Sequence, residues 1–260
     1  MKVLVLVKYV PDATGERSFT ADHTVDREAA DGLLSELDEY AVEQALQLAA
    51  DGGDVEVVAL TVGPDDAAQA IKRALQMGAG SGIHVLDDAI AGSDALATSA
   101  ILAAAIRRAE PDLVLCGMAS TDGGMGVVPV MVAERLGWPA ATLAARLSIA
   151  GDVITVRRDT DTATLTVETT LPAVVSVTDQ SGEPRYPSMR GILAAKRKKV
   201  EQWDLSDLGI DPGSVGLDAA WSAVHEVAPR PAKEPGKIVV DEDGVGAAAF
   251  VEFLAAGKFI

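Results

Sequence analysis

The residue types best suited to binding a ligand stand in a glycine-rich loop, GMASTDGGMG, at residues 117–126. Its glycines let backbone N–H groups approach an anion without a Cβ atom in the way, and the helix predicted to follow adds unpaired donors and positive potential. Ser120 and Thr121 could donate hydrogen bonds as well. An ordinary tight turn between a strand and a helix also favours Gly and Asp, so composition alone supports a phosphate site and a plain turn about equally.

Two further strand ends, Leu6–Lys8 and Thr61–Gly63, are predicted to lie beside this loop, because ligands of parallel sheets bind beyond the carboxyl ends of the strands. Apolar residues there would flank a base, and the pattern as a whole predicts an adenine-nucleotide pocket. A plain core role for the apolar residues is the alternative. The predicted site positions are Leu6, Lys8, Thr61, Val62, Gly63, Gly117, Met118, Ser120, Thr121, Asp122, Gly123, Gly124, Met125 and Gly126.

A second stretch, GEPRYPSMRGILAAKRKK at residues 182–199, gathers positive charge in an acidic chain. The chain has 22 Lys and Arg against 39 Asp and Glu, a formal net charge of −17. A basic segment behind a loop with two prolines and a tyrosine suits contact with an acidic partner. A solvated helix face is the plainer interpretation. The basic residues are Arg185, Arg190, Lys196, Arg197, Lys198 and Lys199.

Other chemistries find little support in the sequence. The GGMGVVP segment lacks the third glycine of a dinucleotide fingerprint and follows the fourth strand, which makes NAD binding a weak interpretation. The three histidines are scattered without metal-ligand spacing, and Cys116 ends an apolar strand, as a buried structural thiol would. No catalytic acid, base or nucleophile is evident. The sequence therefore favours binding and docking over bond-making.

Composition narrows the partners and the compartment. The negative charge argues against broad nucleic-acid binding, and no run approaches the roughly 18 apolar residues of a membrane span. No secretory signal is visible, and a single cysteine excludes an internal disulfide and fits a reducing compartment, so we expect a cytoplasmic location. With 48% hydrophobic but only 4% aromatic residues, the core must be mostly Val, Leu, Ile and Ala, which favours alternating strands and helices.

Alternating elements are predicted to position these segments. Apolar runs without a solvent face predict buried strands at 2–8, 54–62, 82–87 and 112–117. Helical spacing predicts a helix whose first turn Ser35 can cap, and further helices at 65–79, 94–110 and 128–137. Right-handed crossovers between such strands give a parallel sheet covered by helices.

The pattern changes after residue 139. Thr- and Val-rich segments at 147–158 and 163–177 predict antiparallel strands, and ILAAKRKK at 192–199 predicts a short helix. An extended arm is expected over 200–237, with a final amphipathic helix at 245–259. The predicted fold class is therefore α/β, a parallel sheet flanked by helices with a small antiparallel addition and an extended C-terminal arm. We divide the chain into a nucleotide-binding domain, 1–199, and the arm, 200–260.

These segments together resemble one family, the β subunits of electron transfer flavoproteins, and the resemblance runs nearly end to end. It begins with VLVLVKYVPD and continues through LDEYAVEQAL, ALTVGP, ALQMGAGSGIHV and DLVLCGMASTDGG. Its most specific part is LPAVVSVTDQSGEPRYPSMRGILAAKRKKVEQW, in which the LPAVV strand, the EPRY turn and the lysine-rich helix follow the order and spacing of the family.

The resemblance implies a function that spacing alone does not give. An α subunit would hold most of the FAD site and contact the arm, and the heterodimer would carry electrons from flavin dehydrogenases, notably acyl-CoA dehydrogenases, to a membrane quinone oxidoreductase. This subunit, similar to adenine-nucleotide α-hydrolase-like folds, would hold AMP and have no catalytic residues of its own. By position, the AMP contacts would be Leu6, Ser35–Asp38, Val62 and Gly117–Val128, which adds Asp38, Val127 and Val128 to the site.

The resemblance also marks residues 182–199 as a partner-recognition loop with one apolar anchor, here Met189. Methionine is flexible and polarisable, so it can fit several differently shaped pockets. Two alternatives stay open: a stand-alone adenine-nucleotide-binding protein of the stress-protein type, and the β subunit of a bifurcating flavoprotein with a second FAD in place of AMP. The predicted partner-binding residues are Glu183, Pro184, Arg185, Tyr186, Met189, Arg190, Lys196, Arg197, Lys198 and Lys199.

Overall fold

A central parallel sheet organises the chain in a computed structural model, which describes residues 1–50, 54–228, 231, 236, 238–241 and 244–260. The strands are β1 (Lys2–Leu6), β2 (Tyr9–Pro11), β3 (Gly32–Leu34), β4 (Glu56–Val62), β5 (Ser81–Val85), β6 (Leu113–Gly117), β7 (Ala140–Ala144), β8 (Arg146–Ala150), β9 (Val153–Asp159), β10 (Thr164–Thr170), β11 (Ala173–Val177) and β12 (Val200–Trp203). The helices are α1 (Glu36–Ala50), α2 (Ala68–Met77), α3 (Ala95–Ala109), α4 (Val128–Leu136), α5 (Met189–Ala195) and α6 (Gly246–Ala256).

The order of the strands places a switch point beside β1. The sheet runs β12-β5-β4-β1-β6-β11-β7, with every pairing parallel. The chain moves outward from β1 through β4 to β5, then returns to add β6 on the other side of β1. In open α/β sheets, ligands bind in the crevice outside the carboxyl ends of the strands where the direction of winding reverses. That point here lies between β1 and β6.

Two apolar cores cover the two faces of the sheet. Val3 and Val5 point to the face packed by α1 and α2, whereas Leu4 and Leu6 point to the face packed by α3 and α4. Because successive side chains of a strand alternate between faces, a strand covered on both sides must be apolar at every position. This is why the continuous run in β1 folds as a central strand, and the predicted α/β class is confirmed.

The region after residue 139 corrects one prediction. β8, β9 and β10 form an antiparallel sheet as expected, but β7 and β11 join the central sheet as parallel strands. The segment 163–177 therefore contains two kinds of strand. β10 is largely exposed, whereas every residue of β11 is buried, as the largely apolar AVVSV sequence should have indicated. In the irregular stretch between β2 and β3, one antiparallel bridge joins Phe19 and Val25.

Two further predictions need correction on the C-terminal side. α5 begins at Met189 and ends at Ala195, so Lys196–Lys199 follow the helix instead of lying on it. Four adjacent positive charges repel one another within a helical turn, which favours this early end. The arm predicted from residue 200 begins as β12, which pairs with β5 at the edge of the sheet. Residues 1–225 form one compact unit and 226–260 a second, which contains α6 near the predicted position.

The helices found in the described residues are too short or too polar to cross a membrane.

Candidate functional site

The predicted nucleotide residues meet at the carboxyl edge of the sheet. We call residues 6–8, 35–38, 61–63 and 117–128 the switch-point site, because they lie at or beside the carboxyl ends of β1, β4 and β6. Leu6 ends β1, Val62 ends β4 and Gly117 ends β6, and the loop that follows Gly117 leads into α4 at Val128. The structure thus brings the predicted positions to one edge, although their role in binding a nucleotide stays a prediction.

Asp38 ties the two strands of the switch point together. One carboxylate oxygen accepts a 2.9 Å hydrogen bond from the backbone N–H of Lys8, after β1, and the other accepts a 3.1 Å bond from the backbone N–H of Gly117, at the end of β6. Asp38 lies in the first turn of α1, so the helix sets the separation of the two strand ends. Burial raises the pKa of Asp38 to about 7, against the opposing effect of these two N–H donors.

The start of α1 differs from the sequence prediction. The helix begins at Glu36, directly after Ser35, as expected, but the Ser35 hydroxyl makes no hydrogen bond to the helix. The backbone carbonyl of Ser35 accepts instead from the N–H groups of Asp38 and Glu39. The Ser35 side chain is therefore free for another partner.

Gly117 is required by close packing at the same point. A Cβ atom there would lie 2.7 Å from Asp38 Oδ1 and 2.8 Å from the carbonyl of Leu37, closer than non-bonded atoms approach. The absence of a side chain lets the first turn of α1 rest directly on the end of β6. Further along the loop, Gly124 and Gly126 have φ values of 63° and 66°, in the left-handed region that glycine adopts without strain.

Positive charge surrounds the loop at Asp122. Lys8 Nζ lies 2.9 Å from one carboxylate oxygen of Asp122 and Arg27 lies 2.6 Å from the other, while Arg17 donates a 2.8 Å hydrogen bond to the Thr121 carbonyl. Burial alone would raise the pKa of Asp122, but the Lys8 ammonium and the hydrogen bonds from Ser120 and Arg27 lower it well below its ordinary value. Three cations stand against this one firmly ionised acid, so an anion is electrostatically favoured here in a chain that is otherwise strongly negative.

Three buried hydroxyls at this edge have no hydrogen-bond partner among the described residues. They belong to Ser35, Thr61 and Thr121. Buried polar atoms are nearly always paired in folded proteins, so unpaired hydroxyls at the rim of a crevice indicate positions where a ligand would supply the partner. The unpaired hydroxyls and the cations of Lys8, Arg17 and Arg27 are suited to an anionic ligand.

We predict that Asp38 makes the stability of the subunit depend on pH. Its pKa in the folded protein, about 7, lies above the ordinary value of 3.8, so its contribution is full below 3.8 and is lost as pH rises through 7. The free energy of unfolding should therefore fall by roughly 1 kcal/mol from pH 6 to pH 8 through this group. Asp38→Asn, which cannot ionise, should lose this part of the slope in denaturant titrations at pH 6, 7 and 8. Parallel pH profiles for the two proteins would contradict the assignment.

The segment 182–199 presents apolar side chains to solvent. Tyr186 is 89% exposed and Met189 is 74% exposed. Met189 is the first residue of α5, and the hydroxyl of Ser188 caps this helix by accepting a 3.0 Å hydrogen bond from the N–H of Gly191. Exposed apolar residues mark a site of protein contact when they form a contiguous patch, and the contact role of Tyr186 and Met189 stays a prediction. We call residues 182–199 the docking segment.

The six basic residues of the docking segment do not behave alike. Arg185 forms an ion pair with Glu43, Lys198 donates to two backbone carbonyls of the α2 region, and Lys199 pairs with Glu201. The other three are exposed and form no ion pair with the described residues. They are Arg190, Lys196 and Arg197.

Sequence reasoning missed Arg17, Arg27 and Glu43. The first two lie in the irregular stretch after β2, where the only available signal was the presence of two arginines in an acidic chain. Glu43 sits in α1 and meets Arg185 across a separation of 142 residues, which no local pattern reveals. Conversely, no group of three or more potential metal-ligating side chains occurs in the part of the chain that the structure describes.

Fold and site together define a class: a doubly wound α/β protein with a glycine-rich loop and three cations at its switch point, and with an exposed segment at 182–199. A family model described as "Electron transfer flavoprotein domain" matches residues 22–208. The chain belongs to the electron transfer flavoprotein family.

Similar proteins extend the match over nearly the whole chain. A protein of Mycobacterium tuberculosis is 46% identical over 99% of both chains. One of Syntrophomonas wolfei is 37% identical over 98% of this chain and 96% of its own length, and one of Megasphaera elsdenii is 31% identical over 94% and 93%. Each carries the name "Electron transfer flavoprotein subunit beta". The predicted membership among the β subunits is confirmed.

Proposed function

We propose that the chain is the β subunit of a heterodimeric electron transfer flavoprotein. In this role it carries electrons from flavin dehydrogenases, such as acyl-CoA dehydrogenases, to a membrane quinone oxidoreductase. The observation that carries the proposal is the similarity to proteins named subunit beta over 99% of the chain. The expected cytoplasmic location is part of the same proposal, and its support is a single cysteine, Cys116, buried in the fold.

AMP is the proposed ligand of the switch-point site. The backbone N–H groups of the 117–126 loop and the cations around Asp122 would hold its phosphate, and Leu6 and Val62 would flank the base. The unpaired hydroxyls of Ser35, Thr61 and Thr121 support this assignment because each needs a polar partner. AMP supplies no reaction here and stabilises the fold by binding its native state.

FAD, held mainly by the α subunit, supplies the redox chemistry of the heterodimer. The proposed tasks of this chain are to grip the α subunit and to bring the docking segment to a partner. Cys116 is unsuited to covalent chemistry, because burial raises the pKa of its thiol far above the ordinary value and keeps it protonated. We therefore propose an electron-carrier subunit that has no catalytic residue of its own.

The proposed function is tested by co-expression with an α subunit. We expect a yellow 1:1 complex that releases one FAD and one AMP per heterodimer, as measured by absorbance and by mass analysis of the released nucleotides. A colourless chain that assembles only with itself and binds ATP would contradict the proposal and favour a stand-alone nucleotide-binding protein. Two FAD and no AMP would instead identify a bifurcating flavoprotein.

A further inference from the structure

We propose that Arg185 and Lys198 are positioning residues that hold the docking segment against α1 and α2. The basic residues left to meet the partner are then Arg190, Lys196 and Arg197, together with Lys199, whose surface pair with Glu201 is weak. This inference rests on the proposed function, because it separates the basic residues that hold the docking segment in place from those that contact the partner. It revises the sequence-based expectation that all six basic residues contact the partner.

The first anchor is the pair of Arg185 with Glu43 of α1. Arg185 Nε and Nη2 donate hydrogen bonds of 2.7 Å and 2.9 Å to the two carboxylate oxygens, and the backbone N–H of Arg185 adds a third bond of 3.0 Å. The Glu43 side chain is only 7% exposed. A buried carboxylate without its cation is strongly destabilised, so this guanidinium is committed to Glu43 and is poorly placed to leave it for a partner.

The neighbouring residue on α1 strengthens this anchor. Gln44 is also buried, and its side-chain amide donates a 2.9 Å hydrogen bond to the carbonyl of Ser181, directly before the docking segment. Two adjacent residues of α1 therefore hold the start of the docking segment: Gln44 binds the backbone of Ser181, and Glu43 binds the side chain of Arg185.

The second anchor is Lys198, at the far end of the segment. Its Nζ donates hydrogen bonds of 2.9 Å and 2.5 Å to the carbonyls of Leu75 and Ala79, at the C-terminal end of α2. The last carbonyls of a helix lack partners within the helix and carry partial negative charge, so a lysine there both satisfies and neutralises them. Lys198 is consequently turned toward the protein and away from solvent.

Close packing between the anchors completes the support. The Cα atom of Gly191 rests against the carbonyl oxygen of Gln76 in α2, so that a Cβ atom there would collide with it. Met189 stands two residues earlier, at the start of α5, and remains exposed. The segment is therefore fastened at its start, middle and end, while Tyr186, Met189 and Leu193 face outward. Such preorganisation reduces the entropy that docking must overcome.

The remaining cations are suited to long-range attraction. Arg190, Lys196 and Arg197 are exposed and pair with none of the described acidic residues. Lys199 is also exposed, and its pair with Glu201 is of the weak surface type that a partner can replace. Exposed charges of this kind accelerate the encounter with an oppositely charged partner, and the acceleration becomes smaller as the salt concentration rises.

A double-mutant cycle tests the first anchor in the intact heterodimer. We would measure the second-order rate of flavin reduction by an acyl-CoA dehydrogenase reduced with its thioester substrate, for Glu43→Gln, Arg185→Gln and the double variant. If the pair positions the segment, each single change slows the reaction by a similar factor of about 3 to 10, and the double variant is no slower than the singles. If Arg185 contacts the partner directly, Glu43→Gln frees it and the rate stays the same or rises, which would overturn the proposal.

Amide hydrogen exchange gives a readout that needs no dehydrogenase. Glu43→Gln should increase the exchange rate of amides in residues 183–195 by about tenfold or more. Glu134→Gln, the same change at an exposed position of α4, should leave that rate unchanged. Lys198→Met should loosen residues 192–198, and its neighbour Arg197→Met should not. Unchanged exchange in Glu43→Gln and Lys198→Met would overturn the positioning role even if no dehydrogenase reduces the protein. Failure of the proposed function is recognised separately, by a wild-type heterodimer that accepts no electrons.

Discussion

Met189→Ala is expected to slow electron transfer from a dehydrogenase by roughly 30-fold while the flavin content of the heterodimer stays unchanged. Met189 is 74% exposed at the start of α5, on a segment that is fixed to the protein at several points. Truncating an apolar anchor that fills a partner's pocket costs about 2 kcal/mol or more, and about 1.4 kcal/mol corresponds to a factor of ten. The measurement is the second-order rate of flavin reduction, with flavin absorbance as the check on assembly.

Two variants control this experiment. Met189→Leu keeps the apolar volume and should retain most of the rate. Leu193→Ala removes a side chain that is 59% exposed on the same helix, and we expect a smaller loss, because Leu193 lies one turn from the anchor. Equal rates for wild-type protein and Met189→Ala with several different dehydrogenases would show that Met189 anchors none of them.

Gly117→Ala is expected to abolish stoichiometric AMP binding and to destabilise the subunit by about 2 kcal/mol. The new Cβ atom would lie 2.7 Å from Asp38 Oδ1, and backbone atoms of Leu37 leave it no room to move aside. The first turn of α1 would shift away from β6, which would break the bond from the Gly117 N–H to Asp38 and open the switch-point site. AMP per heterodimer after purification and the midpoint of thermal unfolding are the two measurements.

Gly123→Ala is the matched control for this change. It adds the same methyl group to the same loop, but there the Cβ atom would lie 3.5 Å from Ser120 Oγ, an ordinary contact. The thermal midpoint should stay near the wild-type value, because the added methyl group displaces no packed atom of the protein. A Gly117→Ala protein that retains one AMP per heterodimer would refute the view that close packing of α1 on β6 shapes the site.

The parts of the fold that could be predicted from the sequence are those whose residues form a continuous pattern of apolar side chains. β1, β4 and β6 each contain a run of consecutive buried apolar residues, and only a strand covered on both faces needs such a run. β7 escaped prediction because its AATLA sequence is short and weakly apolar, and its place beside β11 is set by the return of the chain after the antiparallel sheet.

The candidate site likewise contains parts that the sequence could predict and parts that it could not. The glycine loop could be proposed because its residue types and its place between a strand and a helix are informative, whereas Met189 was singled out only by the resemblance to the family. The roles of Arg185 and Lys198 could not, since Glu43 and the end of α2 lie more than 100 residues away along the chain. The sequence does not distinguish a basic residue that contacts a partner from one that stabilises its own fold, and only the contacts of the side chain separate the two roles.

The separation of paired and unpaired cations has an electrical consequence. The chain as a whole carries a formal charge of −17, yet Arg190, Lys196 and Arg197 are all exposed in the docking segment and form no ion pair with the described residues. Such an imbalance gives the molecule a permanent dipole moment. The electric field of an acidic partner exerts a torque on this dipole and rotates the docking segment toward the partner. The two proteins therefore meet in an orientation that favours docking.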